Sequence, residues 1–88
     1  MNNKDILPNG LIRINTNRYI AIKKDRTIFY SYNTPVIVIT DNGVYKTSQF
    51  YSVTTNRHIS QFLTDYFYPA RYNHVELLDQ HTIDKMAE

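Results

Sequence analysis

The sequence predicts an α+β fold: a small antiparallel β-sheet, a meander of roughly three to five strands, with one amphipathic helix packed on a face and a short C-terminal strand or helix segment. Three observations point there. Between Leu11 and Tyr51, short runs of β-branched and aromatic residues alternate with turn signals, the pattern of neighbouring strands. Asn42-Gly43 sits between two apolar runs, where a tight hairpin turn belongs. Beyond Tyr51 the period changes, and Ile59, Phe62, Leu63, Tyr66 and Phe67 recur at i, i+3, i+4, i+7 and i+8, one stripe of a helix.

Residues 1–10 read as an irregular lead-in, punctuated by Pro8 and Asn9-Gly10. The meander occupies 11–51. Tyr19-Ile20-Ala21-Ile22 and Thr27-Ile28-Phe29-Tyr30-Ser31-Tyr32 form a hairpin whose charged tip is at Lys24-Asp25. Pro35 interrupts the second of these runs and opens the next strand, because proline cannot donate to a ladder. Val36-Ile37-Val38-Ile39 is apolar at every position and needs cover on both faces, from the C-terminal segment or from a second copy of the chain. Asn42-Gly43 suits a type I′ turn. The strand that returns from it, Val44 to Tyr51, is polar enough to sit at a sheet edge, with Lys46 discouraging further pairing.

The helix is expected over 54–67, starting near Thr54 or Thr55. It ends before Tyr68-Pro69, since a residue preceding proline is driven out of the helical region. In the C-terminal segment, 70–88, His74-Val75-Glu76-Leu77-Leu78 fits strand or helix, and Asp79 caps a last short helix, His81 to Ala87.

One small domain is all that 88 residues can hold. A chain of this size buries roughly two-thirds of its unfolded surface, so the 8 Tyr and 4 Phe are expected in an aromatic core that an oligomer interface could extend. A homodimer is therefore one expectation. Cysteine is absent, which excludes disulfides and thiolate metal sites. No apolar run reaches the roughly 20 residues of a membrane helix. The first residues lack the apolar core of a secretory signal, and Met1 is read as the start of a short natural reading frame. A net charge of +2 does not demand a nucleic-acid partner. The charge is uneven, with eight basic and four acidic side chains up to residue 70 and two against four beyond it.

Catalytic patterns are lacking: no cysteine nucleophile, no glycine-rich phosphate loop, no His-x-x-x-His, and no carboxylate pair at a telling spacing. His58, His74 and His81 would have to converge from distant segments to hold a metal. No enzyme activity, metal or cofactor is expected.

Two clusters remain as candidate sites. Thr54, Thr55, Arg57 and His58 lie at the helix start, where backbone N–H groups and a hydroxyl favour an anion. Arg57 and His58 stand where a helix dipole prefers acids. The same residues admit an architectural reading, in which the threonines cap the helix, Arg57 is solvated and His58 bonds a backbone carbonyl. Lys23, Lys24 and Arg26 with Tyr30 and Tyr32 could stack and pair with single-stranded nucleic acid or meet a partner surface. Read as architecture, these rings are core and cross-strand pairs.

The runs Ser31-Tyr32-Asn33-Thr34-Pro35-Val36 and Tyr51-Ser52-Val53-Thr54-Thr55-Asn56-Arg57-His58-Ile59 carry a resemblance across residues 18–65. They resemble a family of small, mostly bacteriophage-encoded proteins of unknown function, with a Ser-Tyr-x-Thr-x-Val strand and a Tyr-Ser-x-Thr-Thr-x-x-His-Ile helix start. The resemblance implies phage origin and the cytoplasm of the infected host cell, and it implies no activity. It favours a small non-catalytic accessory protein that binds a host macromolecule, a host protein first, with inhibition of a defence or metabolic protein as its purpose. A small nucleic-acid-binding protein is the alternative, and a phosphate-ester enzyme a distant third.

Overall fold

The computed structural model describes residues 11–15, 17–67 and 75–88, without the side chains of Asn15, Tyr66 and Phe67. The irregular lead-in, Pro69 and His74 lie outside the described residues. Six strands form one sheet in chain order: β1 (Ile12–Asn15), β2 (Arg18–Ile22), β3 (Arg26–Ser31), β4 (Thr34–Thr40), β5 (Gly43–Thr47) and β6 (Val75–Leu78). The first five make the expected antiparallel meander. β6 lies parallel to β5. A parallel pair needs a crossover, and helix α1 (Val53–Phe67) lies in the chain between its two strands. A second helix, α2 (Gln80–Ala87), follows β6. The sheet is thus mixed and one strand larger than the expected upper bound, and it carries two helices. β5 is internal rather than an edge. Lys46 points to the α1 side while the backbone of β5 pairs with β6.

The apolar β4 run is covered on both faces. Towards α1, Ile20, Phe29, Val36, Ile37 and Val44 pack with Ile59 and Phe62. The Phe29 and Phe62 rings are 4.8 Å apart at 58°, a tilted aromatic pair. On the other face Ala21, Ile28 and Val38 pack with Ile83 and Ala87 of α2. The C-terminal segment therefore supplies the cover that the sequence left open between it and a second copy. Val36 and Ile37 are consecutive yet share the α1 side. The register explains this: Phe29 opposes Ile37 and Tyr30 opposes Pro35, leaving Val36 as the extra residue of a β-bulge.

Turn chemistry fixes the ends. Thr40 opposes Gly43, so the turn pivots on Asp41-Asn42, one residue earlier than a type I′ Asn-Gly turn requires. Gly43 takes φ +153° and Asn42 keeps a negative φ. The glycine is needed for that backbone conformation, since a Cβ would meet nothing nearer than 3.7 Å. α2 begins at Asp79, whose side chain accepts from Thr82 N at 2.8 Å. That bond holds the Asp79 carboxyl below its ordinary pKa.

Candidate functional site

α1 begins at Val53, one residue before the expected start at Thr54. Ser52 is the cap: its Oγ accepts from Thr55 N at 3.0 Å and its carbonyl accepts from Asn56 N at 3.0 Å. Neither Thr54 nor Thr55 caps. Thr54 is exposed, whereas Thr55 is turned into the protein.

Inside, Thr55 meets the end of β3. Ser31 Oγ hydrogen-bonds Thr55 Oγ1 at 3.3 Å and lies 2.7 Å from His58 Nδ1. Ser31 is 1% exposed. Either hydroxyl can supply the proton between Ser31 and Thr55, so Ser31 Oγ accepts from His58 Nδ1–H or donates to Nδ1 according to the ring's tautomer. In either case the Ser31 hydroxyl is enclosed between β3 and α1. A nucleophile would face substrate, and Ser31 does not face solvent. Burial, with the Arg18 and Arg57 charges, pushes the His58 pKa below its ordinary 6.5.

The residue after Ser31 is bent to suit. Tyr32 has φ +57°, left-handed backbone that a bulky residue rarely adopts. Its N–H donates to Asn17 O at 2.8 Å, and its ring lies 5.8 Å from the His58 ring at 41°. The turn costs about 1–2 kcal/mol and sets Tyr32 over His58. Ser31 and Tyr32 of one singled-out sequence run thus meet Ser52, Thr55 and His58 of the other.

Arg18 lies opposite Ser31 on β2 and is only 8% exposed. Its guanidinium sits 5.2 Å from the centroid of the Phe62 ring, and Nη1 is 3.9 Å from the Asp65 carboxylate. Nε and Nη1 have no hydrogen-bond partner among the described residues. The ring face and the nearby carboxylate offset part of that desolvation. Sequence reasoning missed Ser31 and Arg18 as members of this cluster. Arg18 reads as an ordinary strand-end charge, and only the pairing of β2 with β3 brings the two under α1.

Of the four residues proposed for an anion, Thr55 and His58 are turned to Ser31, while Thr54 and Arg57 face solvent. The second cluster is divided as well. Lys23 Nζ donates to Ala87 O at 3.0 Å, and Arg26 donates to Met86 O, so both close the negative end of α2. Arg26 also forks onto Asp25 at 2.9–3.0 Å. Lys24 is exposed, Tyr30 packs on the α2 side of the sheet, and Tyr32 lies at the opposite end of β3.

A shallow groove opens beside α1 on its β5–β6 side, with a volume of about 270 Å³. Phe50, Ile59 and Leu77 give it apolar walls, and Lys46, Asn56 and Ser60 are among its polar ones. Phe50 and Leu77 are 60% and 56% exposed, and Val53, one helical stripe above Asn56 and Ser60, is 67% exposed. Among the described residues no three His, Asp or Glu side chains are grouped to hold a metal. Nor is any helix there long and apolar enough to cross a membrane.

These features define a small α+β domain with a mixed six-stranded sheet between two helices and a buried Ser–Thr–His cluster pinning one of them. The chain belongs to the family of unknown function DUF8033, whose model matches residues 2–83. No curated protein and no solved structure matches the chain.

Proposed function

We propose that this is a non-catalytic accessory protein of bacteriophage origin that binds a host macromolecule, a protein in the cytoplasm of the infected cell, and blocks a defence or metabolic function. The observation that carries the binding reading is the exposure of Phe50, Tyr51 and Val53 around the start of α1, together with Leu77, which lines one groove with Phe50. Such surface is costly in water and is favoured where a partner removes it. The phage setting rests on the resemblance of the two sequence runs given above.

The Ser31–His58 pair invites comparison with a nucleophile and base. The burial of Ser31 and its contacts to two α1 side chains support a structural role instead. The nucleic-acid alternative draws less support from the geometry, because Lys23 and Arg26 serve the α2 terminus. An affinity capture from nuclease-treated host lysate tests the proposal. Wild-type protein should retain one stoichiometric host protein, and a folded Phe50→Ser/Val53→Ser variant should lose it. Release of all bound material by nuclease, or equal capture by the variant, would overturn it.

A further inference from the structure

We infer that Asn42-Gly43 is a self-modifying site, where the Asn42 side-chain amide is lost through a cyclic imide and the β4–β5 tip gains a carboxylate beside Arg26. The inference is independent of the binding reading. The backbone nitrogen that follows an asparagine attacks the side-chain carbonyl carbon only where the next residue leaves room for it. Gly43 has no side chain to block the approach. A Cβ placed there would meet nothing nearer than 3.7 Å, so nothing beyond the turn crowds it either. Asn17, Asn33 and Asn56 are followed by Arg18, Thr34 and Arg57, whose side chains obstruct the same attack. Asn42 is exposed at the hairpin tip. Its backbone N–H donates to Thr40 Oγ1 at 3.1 Å, and among the described residues its side-chain amide has no partner. Thr40 and Gly43 are the last pair of the β4–β5 ladder. Opening that pair frees the Gly43 nitrogen, and ladder ends open more readily than the core.

Water is the co-reactant, and no oxidation or reduction is involved. Gly43 N bonds to Asn42 Cγ, the Cγ–N bond of the side-chain amide breaks, and ammonia leaves with the proton that Gly43 N has lost. Water then opens the imide at either carbonyl. Addition at Cγ breaks the new Cγ–N bond and gives aspartate. Addition at the main-chain carbonyl breaks its bond to Gly43 N and gives isoaspartate, with one more carbon in the backbone of the turn. Either product carries one new carboxylate. That charge has a receiver. Asn42 lines a cavity of about 390 Å³ with Asp25, Arg26, Asp41, Tyr45 and Met86. Arg26 there forks onto Asp25 at 2.9–3.0 Å and donates to the Met86 carbonyl near the end of α2. A further carboxylate beside Asp25 and Asp41 competes for the same guanidinium and weakens its hold on α2.

The whole folded chain is aged in buffer, and its proteolytic peptides are read by mass spectrometry, with an isoaspartyl methyltransferase as label. The peptide holding Asn42 should gain the mass difference between amide and acid and take the methyl label. It should do so faster as pH rises, because the Gly43 nitrogen must lose its proton. Asn17, Asn33 and Asn56 should lag behind it, and Asn42→Gln should lose the conversion, since its imide ring would be one atom larger. Mapping by peptide keeps Asn9-Gly10, the same dipeptide elsewhere in the chain, apart from Asn42. Conversion in urea but none in the folded chain would overturn the inference, because the hairpin would then protect the pair. A rate at Asn42 no faster than at Asn17 would overturn it as well. An Asn42→Asp variant carries the charge without the reaction. It should move the NMR signals of Arg26 and Met86, and unmoved signals would overturn the reach of the new charge to α2.

Discussion

Replacing Ser31 with alanine removes one hydroxyl and strands two partners. Thr55 Oγ1, in a residue 5% exposed, loses its partner at 3.3 Å, and His58 Nδ1 loses its partner at 2.7 Å. Each hydrogen bond contributes about 1 kcal/mol, and a buried polar atom left unpaired costs about 1–3 kcal/mol. The expected destabilisation is therefore about 2–3 kcal/mol, a large share of the roughly 5–15 kcal/mol that holds a domain folded. At about 4–8 °C per kcal/mol for a chain of this length, the melting temperature should fall by about 10–20 °C. Urea unfolding of wild type, Ser31→Ala, His58→Ala and the double variant reads the coupling directly. Because Ser31 and His58 touch, the coupling energy should reach at least about 0.5 kcal/mol. A single-site loss below that figure together with strict additivity would refute the idea that this cluster pins α1 to the sheet.

Three further outcomes follow from the geometry. His58 resists protonation in the folded state, because its pKa lies below the ordinary 6.5. The unfolded chain then binds more protons as pH falls through 6.5 towards the native value, so stability is full above that window and lost within it. Urea midpoints between pH 7.5 and 5 should fall in wild type and fall less in His58→Ala; parallel curves would sink this. Ser52→Ala should cost about 1 kcal/mol through the lost cap, whereas the exposed Thr54→Ala should change the urea midpoint little, and the reverse order would restore a threonine cap. Ile83→Ala, at the fully buried contact of α2 with Ile28 and Val38, should cost about 2–5 kcal/mol in calorimetry; a loss under about 1 kcal/mol would mean that α2 is not the cover of that face.

Much of the fold was legible along the chain because its determinants are local. Runs of β-branched and aromatic residues between turn signals located β2 to β5, period-3.6 patterning located α1, and Asp79 announced α2 through a cap that depends on residues only three apart. The short run Val75–Leu78 was ambiguous, since four residues carry too little period to separate strand from helix. It became a strand because β5 offered it a ladder. The same pairing removed β5 from the edge, which its polar sequence had implied. The type I′ reading of Asn42-Gly43 failed by one position, because the register Thr40–Gly43 decides which residues turn.

The segment from Tyr51 to Ile59 drew attention for its hydroxyls, Arg57 and His58, and the sequence alone determined that a helix begins there. It also determined that no acid complements that helix start and that Val36–Ile39 needs two covers. Tertiary structure decided the roles: Ser52 caps, Thr55 and His58 turn inward, and Ser31, distant in sequence, joins them. It also decided that Lys23 and Arg26 close α2. The physical reason is the range of each interaction. Caps and amphipathic stripes act within a few residues and leave a mark on the sequence. A hydroxyl, an imidazole and a guanidinium from three separate elements become neighbours only after the sheet has set its register and the helix has packed on it.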